Sequence, residues 1–235
     1  MDLSGKQVVV TGGTGALGTA VVNLMIDAGA NCIVPYIHDA EEQRFPYRGQ
    51  PQVTLIKVTD LADEDEVARV FAAVKLPSGL WGSIHIAGGF AAGKIGETGK
   101  SALMTQIDSN LASCFLCCRA AVQAMQRSGG GRIVNVTARP GLEWRTGAGM
   151  TAYTVAKAGV AALTVALAEE VAKDGILVNA VAPSIMDTAA NRQAMPKADH
   201  SVWPKVQEVA ATVAFLASPE NRVTRGAIVP VYGKS

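Results

Sequence analysis

The chain has 235 residues, of which 49% are hydrophobic and 17% charged, as is typical of a globular protein with a sizeable core. Its 21 basic and 20 acidic residues leave a formal net charge of +1, which gives no global reason to bind nucleic acid or an anionic membrane. Four cysteines are no disulfide framework at this length, and we find no run of 18 apolar residues and no signal-peptide pattern at the N-terminus. We therefore expect a cytoplasmic protein without a membrane partner.

Short β-branched runs alternate with longer helical segments along the chain. The predicted strands cover residues 7–10, 32–34, 53–58, 83–87, 132–136, 176–181 and 227–229. The predicted helices cover residues 16–28, 64–74, 101–128, 151–173 and 206–216. Continuous apolar strands are typical of a parallel sheet with helices on both faces, so we predict one doubly wound α/β domain over residues 1–235. Pro230 indicates that the last strand lies at an edge or frays.

The glycine-rich segment from Thr11 to Gly18 follows the first predicted strand and opens the first helix. A pyrophosphate must come close to the backbone N–H groups of a helix N-terminus, and side chains there would block it. We therefore predict a dinucleotide site, although a tight turn without a ligand is the alternative. The residues expected to form it are Gly12, Thr14, Gly15, Ala16, Leu17 and Gly18.

Tyr153 and Lys157 are four residues apart on a predicted helix, so their side chains lie on one face. A phenol has a pKa of about 10 and is a weak acid at neutral pH. A neighbouring ammonium group stabilises the phenolate, so we expect Lys157 to lower the pKa of Tyr153. The pair could then exchange a proton with a substrate oxygen or nitrogen during hydride transfer.

With these features the sequence resembles the short-chain dehydrogenases/reductases over nearly its whole length. The matching motifs are Thr11 to Gly18, Asp60-Leu61, Ala87-Gly88, Asn110, Tyr153-x-x-x-Lys157, residues 178–183 and Asp187-Thr188. The resemblance implies a Rossmann-fold oxidoreductase that transfers hydride between NAD or NADP and a small-molecule substrate. It implies that Tyr153 donates the proton, that Lys157 binds the nicotinamide ribose, and that Asn110 holds a water molecule in a proton relay. Further cofactor contacts are implied for Tyr36, Asp60, Leu61, Ala87, Gly88, Gly89, Pro183, Ile185 and Thr188.

The sequence departs from the family pattern at the expected catalytic serine, whose position holds Ala138. A missing hydroxyl removes a hydrogen bond to developing oxyanion charge, which elsewhere costs roughly 10²–10³ in rate. The neighbouring Thr137 points to the opposite face of the strand, whereas Thr146 or Thr151 could supply a hydroxyl from further along the chain. The second family glycine is also replaced, by Ala16.

The alanine, together with residues 87–93 and 187–203, also resembles dihydropteridine reductase. A quinonoid pterin is conjugated and readily reduced, so its reduction needs less help at the oxyanion. We therefore keep small carbonyl compounds, quinones and quinonoid pterins as substrate classes. The alternative function is a nucleotide-binding redox sensor or regulatory protein that turns over little because the serine is absent.

The end of the second strand bears on the choice of cofactor. An acidic residue there normally accepts the adenosine ribose hydroxyls and repels the 2′-phosphate of NADP, but this chain has Tyr36. The composition of the following segment is mixed, and we lean slightly to NADP over NAD. Its basic residues are His38, Arg44 and Arg48, and its acidic residues are Asp39, Glu41 and Glu42.

One face of the helix after Asn110 carries Cys114, Cys117 and Cys118. We interpret these thiols as small packing residues or as part of a subunit contact rather than as metal ligands, and we expect no metal site. His85 is expected to end a buried strand. The family resemblance further implies a homodimer or homotetramer formed through the Asn110 and Tyr153 helices.

Overall fold

A parallel sheet forms the centre of the computed structural model, which describes residues 1–75 and 77–235. Its strands are β1 (Gln7–Thr11), β2 (Asn31–Tyr36), β3 (Val53–Lys57), β4 (Leu80–His85), β5 (Gly131–Val136), β6 (Ile176–Pro183) and β7 (Ile228–Val231). The helices are α1 (Ala16–Asp27), α2 (Asp39–Arg44), α3 (Glu64–Ala72), α4 (Lys100–Ile107), α5 (Ser113–Ser128), α6 (Arg139–Leu142), α7 (Thr151–Glu170), α8 (Ala189–Ala194) and α9 (Val206–Ala217).

The strand order is β3-β2-β1-β4-β5-β6-β7, and every neighbouring pair is parallel. The chain first moves outwards from β1 to β3 and then returns to place β4 on the other side of β1. This reversal opens a crevice beyond the carboxyl ends of β1 and β4, where ligands bind in open α/β sheets. The predicted doubly wound α/β fold, with β7 at an edge, is confirmed.

Both faces of the sheet are covered by helices. Val8 and Val10 pack into one core layer with α1 and α9, whereas Val9 packs into the other layer with α3, α5 and α7. Because both faces are buried, the strands contain continuous apolar runs instead of alternating apolar and polar residues. The two layers hold the carboxyl ends of the strands at one edge of the molecule.

The structure differs from the sequence prediction in several elements. The helix predicted over residues 101–128 consists of α4 and α5 joined by a wide π-helical turn, Asp108–Ala112, which centres on Asn110. β4 begins three residues before its predicted start, because Leu80 and Gly82 already pair with β1. It ends at His85, two residues before its predicted end. Helices α2, α6 and α8 are short and were not predicted.

Helix α7 is long and apolar enough to cross a membrane, by length and composition alone. A core helix of a globular fold has the same properties, and α7 packs against β5, β6 and α4. This packing fixes the first turns of α7 beside the carboxyl edge of the sheet.

Candidate active site

In the glycine loop after β1, backbone atoms of neighbouring segments lie unusually close to one another. A Cβ atom on Gly12 would lie 2.7 Å from the backbone nitrogen of Ala87, and Gly12 has a φ of +67° that favours glycine. A Cβ atom on Gly18 would lie 2.0 Å from the carbonyl oxygen of Gly12. These contacts hold the start of α1 against the loop after β4, so both glycines are structural requirements of the crevice.

The N-terminus of α1 is open to a ligand. Its N-cap residue is Gly15, and no side chain caps the first backbone N–H groups. Such uncapped N–H groups attract anions through hydrogen bonding and the helix dipole. The exposed Ala16 replaces the second family glycine without entering the Gly12–Gly18 contact. The loop therefore fits the diphosphate of a dinucleotide.

A carboxylate from α2 lies next to this loop. Glu41 Oε2 accepts a hydrogen bond from the backbone N–H of Ile37 at 3.1 Å and one from Thr14 Oγ1 at 3.5 Å. It thus lies between the end of β2 and the glycine loop. The sequence places Glu41 near the cofactor but does not reveal this contact, because it depends on how α2 turns back after β2.

Two cations near α2 are paired with carboxylates. Tyr36 donates a hydrogen bond to Glu42 at 2.7 Å, which raises the pKa of the Tyr36 phenol. Arg48 lies 3.4 Å from Glu42, and Lys57 lies 2.5 Å from Asp39. Arg44, in the last turn of α2, donates a hydrogen bond to the carbonyl oxygen of Ala40 at 3.0 Å instead.

Lys157 is buried and bonded to the sheet. Its Nζ donates a hydrogen bond to the carbonyl oxygen of Val136 at 2.9 Å and lies 5.9 Å from the centre of the Tyr153 ring. Burial lowers the pKa of Lys157 to about 8. The pair thus lies together at the end of β5, as the spacing predicted.

Burial has the opposite effect on the phenol. It raises the pKa of Tyr153 to about 12, so the expectation that this pKa is lowered is wrong. The physical reason is that removal from water penalises the phenolate, while the Lys157 ammonium is directed towards Val136. Tyr153 therefore carries its proton at neutral pH.

Asn110 joins the wide turn to the loop after β4. Its Nδ2 donates hydrogen bonds to the carbonyl oxygens of Gly89 at 2.9 Å and Gln106 at 3.1 Å. Its buried Oδ1 has no hydrogen-bond partner within the described part of the chain. A Cβ atom on Gly88 would lie 2.5 Å from this oxygen and 3.4 Å from Lys157 Nζ. Asn110 Oδ1 and Lys157 Nζ therefore border the same small space beside Gly88.

Ala138 follows β5 and is buried, with extended backbone at the start of α6. The hydroxyl of Thr137 donates to the carbonyl oxygen of Lys157 at 2.6 Å, so it braces α7 and does not replace the missing serine. Thr146 is exposed, and its hydroxyl donates to the carbonyl oxygen of Glu143. The hydroxyl groups of Thr137 and Thr146 therefore both donate to backbone carbonyl oxygens.

The remaining expected cofactor residues lie at the same sheet edge. The Leu61 side chain is buried in the core, so only its backbone can face a cofactor, and Asp60 accepts a hydrogen bond from the N–H of Ala62 at 2.8 Å. Beyond Pro183 at the end of β6, Ile185 is 45% exposed. Thr188 caps α8 through its hydroxyl. None of these side chains has a hydrogen bond to the glycine loop among the described residues.

A buried polar cluster lies deeper in the sheet. The His85 ring lies 2.8 Å from both Ser83 Oγ and Asn135 Oδ1, and the sulfur atoms of Cys114 and Cys118 lie within 3.5 Å of the same Asn135 oxygen. These hydrogen bonds account for the buried polar groups of His85 and Asn135. All three thiols of α5 are buried within the chain, so they are packing residues and form no subunit contact.

Phe90 is a contact residue that the sequence did not single out. Its ring lies 5.1 Å from that of Tyr153, with the two planes at 84°. The sequence offers one signal for this contact, namely that an apolar residue follows the Gly88-Gly89 pair. It places an aromatic side chain directly at the proposed proton donor.

Comparison with known proteins agrees with this arrangement. A family model described as short chain dehydrogenase matches residues 6–199. Galactitol 2-dehydrogenase of Rhizobium johnstonii is 34% identical, over 97% of this chain and 94% of its own length. Cis-4-hydroxycyclohexanecarboxylate dehydrogenase of Sinomonas cyclohexanicum is 32% identical, over 97% of this chain and 95% of its own.

Solved structures show the same fold. The structure described as ElxO with NADP bound has a TM-score of 0.88 and 24% identity, covering 97% of this chain and 98% of that one. The sheet order, the glycine loop and the sequence matches over nearly the full length agree with one another. The chain therefore belongs to the short-chain dehydrogenase/reductase family of NAD(P)-dependent oxidoreductases.

Proposed function

We propose that this protein is a reductase that uses NADH or NADPH to reduce a small conjugated substrate, with Tyr153 as the proton donor. The observation that carries the proposal is the placement of the Tyr153 phenol at the carboxyl edge of the sheet, with Lys157 on the same helix face and Phe90 of the loop after β4 beside it. A reduction places a proton on the substrate, and a phenol at this edge can supply it.

The cofactor would be held by the open N-terminus of α1, by the loop after β4 and by Lys157. When bound, a reduced nicotinamide supplies the hydride. Tyr153 donates its proton to the substrate heteroatom that gains charge. Asn110 Oδ1 is buried without a hydrogen-bond partner in the described part of the chain and would accept a hydrogen bond from a water molecule that returns a proton to Tyr153.

Ala138 restricts the substrate class. Because the serine hydroxyl is absent, developing negative charge on a substrate oxygen lacks one hydrogen bond. A quinone or a quinonoid pterin delocalises this charge within its own conjugated system and depends less on the missing donor. An isolated aliphatic ketone depends on it most, and we expect it to be reduced slowly.

Initial rates with NADH and NADPH test the proposal, measured with a quinonoid pterin, a quinone, an aromatic diketone and a simple ketone. The names of the two related dehydrogenases describe alcohols as substrates. Galactitol with oxidised cofactor therefore tests the reverse direction. We expect turnover with at least one conjugated substrate. Cofactor binding without turnover on the whole panel would favour the sensor function instead.

Tyr153→Phe provides the matched control for the proton donor. The variant keeps the ring that packs on Phe90 and removes only the hydroxyl. We expect kcat to fall by at least roughly 10²-fold, with cofactor affinity within about twofold of the wild type. Retained activity would remove Tyr153 from the mechanism.

The partners and location follow from the same proposal. We infer one domain over residues 1–235 that works in the cytoplasm as a homodimer or homotetramer. The proposed contact surface is the exposed side of α4, α5 and α7. Its large apolar residues are Leu103, Met104, Phe115, Val155 and Val165.

A further inference from the structure

Two large aromatic side chains stand in solvent on the loops that surround Tyr153. Phe90, on the loop after β4, is 63% exposed, and Trp144, on the loop after β5, is 72% exposed. Exposing apolar rings to water is unfavourable by about 25 cal/mol per Å², and neither ring contributes to the two core layers. Exposed aromatic residues grouped at a reaction site are typical of a binding surface.

The two loops are joined to each other just before Tyr153. The backbone N–H of Gly93 donates to the carbonyl oxygen of Gly149 at 2.7 Å, and Gly93 forms an isolated bridge with Met150. The indole N–H of Trp144 donates to the carbonyl oxygen of Gly141 at 3.3 Å, which fixes this ring to its own loop. The two loops that carry the aromatic residues are therefore joined by backbone contacts next to the start of α7.

The position of Phe90 relates directly to the reacting group. Its ring centre lies 5.1 Å from that of Tyr153, and the planes meet at 84°, so the two rings form a corner and do not stack on each other. A flat ring can lie in such a corner while a carbonyl group attached to it reaches the Tyr153 hydroxyl. Aromatic rings favour offset or edge-to-face contacts of this kind.

One cation of the loop after β5 is already paired. Arg139 is paired with Glu143 at 2.7 Å, and its guanidinium group lies 4.8 Å from the centre of the Tyr232 ring. Its charge is thus largely compensated within the protein.

We propose that the corner formed by Phe90 and Tyr153, with Trp144 on the adjoining loop, binds planar aromatic carbonyl compounds such as aryl diketones and quinones. This inference rests on the proposed function and specifies its substrate class. In the reaction of a diketone, one carbonyl carbon would gain the hydride that a reduced nicotinamide supplies, and its oxygen would gain the proton of Tyr153, which gives a hydroxyketone. A quinone would take up the same hydride and proton and become the hydroquinone. In both cases the cofactor is oxidised, and solvent returns a proton to Tyr153.

A matched pair of substrates separates ring recognition from carbonyl reactivity. We choose 1-phenylbutane-2,3-dione and 1-cyclohexylbutane-2,3-dione, in which a methylene group separates the ring from the dione, so that the two compounds differ mainly in the flatness and aromaticity of the ring. We expect kcat/KM to be roughly three- to tenfold higher for the phenyl compound. Equal values for the two compounds would overturn the inference while leaving the proposed function intact.

Three variants show which side chains cause the preference for the phenyl compound. Phe90→Leu keeps an apolar side chain but removes the ring, and we expect it to bring the phenyl-to-cyclohexyl ratio close to one. Trp144→Leu should lower the ratio as well. The control Phe215→Ala removes an aromatic residue on α9 that is 52% exposed, and it should leave the ratio unchanged. An unchanged ratio in Phe90→Leu would overturn the role of Phe90.

Binding gives a second measurement that does not depend on turnover. In Tyr153→Phe with saturating NAD⁺ or NADP⁺, calorimetry should show tighter binding of the phenyl dione than of the cyclohexyl dione. If no substrate is turned over by the wild type but this preference is present, the proposed function fails while the aromatic site stands. If neither dione binds, the aromatic site is refuted.

Discussion

At the scale of single residues, burial acts on Tyr153 and Lys157 in opposite directions. It raises the pKa of the phenol to about 12 and lowers the pKa of the ammonium to about 8, because in each case the charged form loses its hydration. Burial of the Lys157 ammonium therefore lowers the free energy of unfolding. The protein keeps this destabilising group at the candidate active site. This cost can be measured separately from catalysis.

Lys157→Met should abolish turnover and stabilise the protein at pH 7 by about 2 kcal/mol, because the lowered pKa corresponds to a cost of about 3 kcal/mol and the lost hydrogen bond to Val136 offsets about 1 kcal/mol of it. The unfolded chain binds a proton at Lys157 up to a pKa of about 10.4, whereas the folded chain releases it near 8. The wild type therefore gains stability as the pH rises from 8 towards 10.4, and the advantage of the variant should shrink over this range. Urea unfolding of both proteins at pH 7 and pH 10 measures it. An advantage that stays constant with pH would contradict this interpretation.

Glu41 leads to a prediction about the cofactor. Its carboxylate touches Thr14 in the glycine loop, and Arg48 and Lys57 are already paired with Glu42 and Asp39. A 2′-phosphate at this place would meet the Glu41 carboxylate, so we expect NADH to be preferred, which reverses the slight lean to NADP drawn from Tyr36.

Glu41→Gln should lower the ratio of kcat/KM for NADH over NADPH by roughly tenfold. Glu42→Gln is the control, because it removes the same charge from the same helix at a carboxylate that Tyr36 and Arg48 already occupy. Equal effects of the two variants would show that only net charge matters. A wild type that prefers NADPH would refute the role of Glu41.

At the scale of elements, the glycine loop and α1 form one tightly fitted unit. A Cβ atom on Gly18 would lie 2.0 Å from the carbonyl oxygen of Gly12, whereas one on Gly15 would meet a single atom at 3.3 Å. Gly18→Ala should therefore lower the free energy of unfolding by about 1–3 kcal/mol, and Gly15→Ala by less than about 0.5 kcal/mol. Thermal and urea unfolding of both variants measure the difference. Equal losses in the two variants would show that the close approach of Gly18 to Gly12 does not limit stability.

The main elements could be predicted because their signals are local. The β-branched run before Thr11, the glycines after it and the spacing of Tyr153 and Lys157 all lie in short stretches of sequence. Helix α2 was missed because it buries none of its residues and therefore has no apolar periodicity. The wide turn at Asn110 was missed because the apolar pattern of α4 and α5 continues through it.

The contacts of the candidate site were less predictable, because they join residues that are distant in the chain. The hydrogen bond from Thr14 to Glu41 and the packing of Phe90 on Tyr153 depend on how loops turn after β2 and β4. The pKa of Tyr153 likewise depends on burial, which the four-residue spacing to Lys157 does not reveal. Sequence patterns identified the reacting residues but not their surroundings.

At the scale of the whole molecule, the exposed apolar residues of α5 and α7 predict self-association. Phe115 is 52% exposed and Val165 is 44% exposed, on two helices that pack against each other. We expect sedimentation to show a dimer or tetramer, and Phe115→Glu to shift it towards the monomer. The control Val223→Glu changes a residue that is 83% exposed outside these helices, and it should leave the assembly unchanged. A wild type that sediments as a monomer would refute the proposed contact.

Two hydrogen bonds join the end of β5 to α7 just before Ala138. Thr137 Oγ1 donates to the Lys157 carbonyl oxygen, and Lys157 Nζ donates to the Val136 carbonyl oxygen. These reciprocal bonds hold strand and helix together without any contribution from the alanine side chain. A change of the side chain at position 138 would therefore leave both bonds in place.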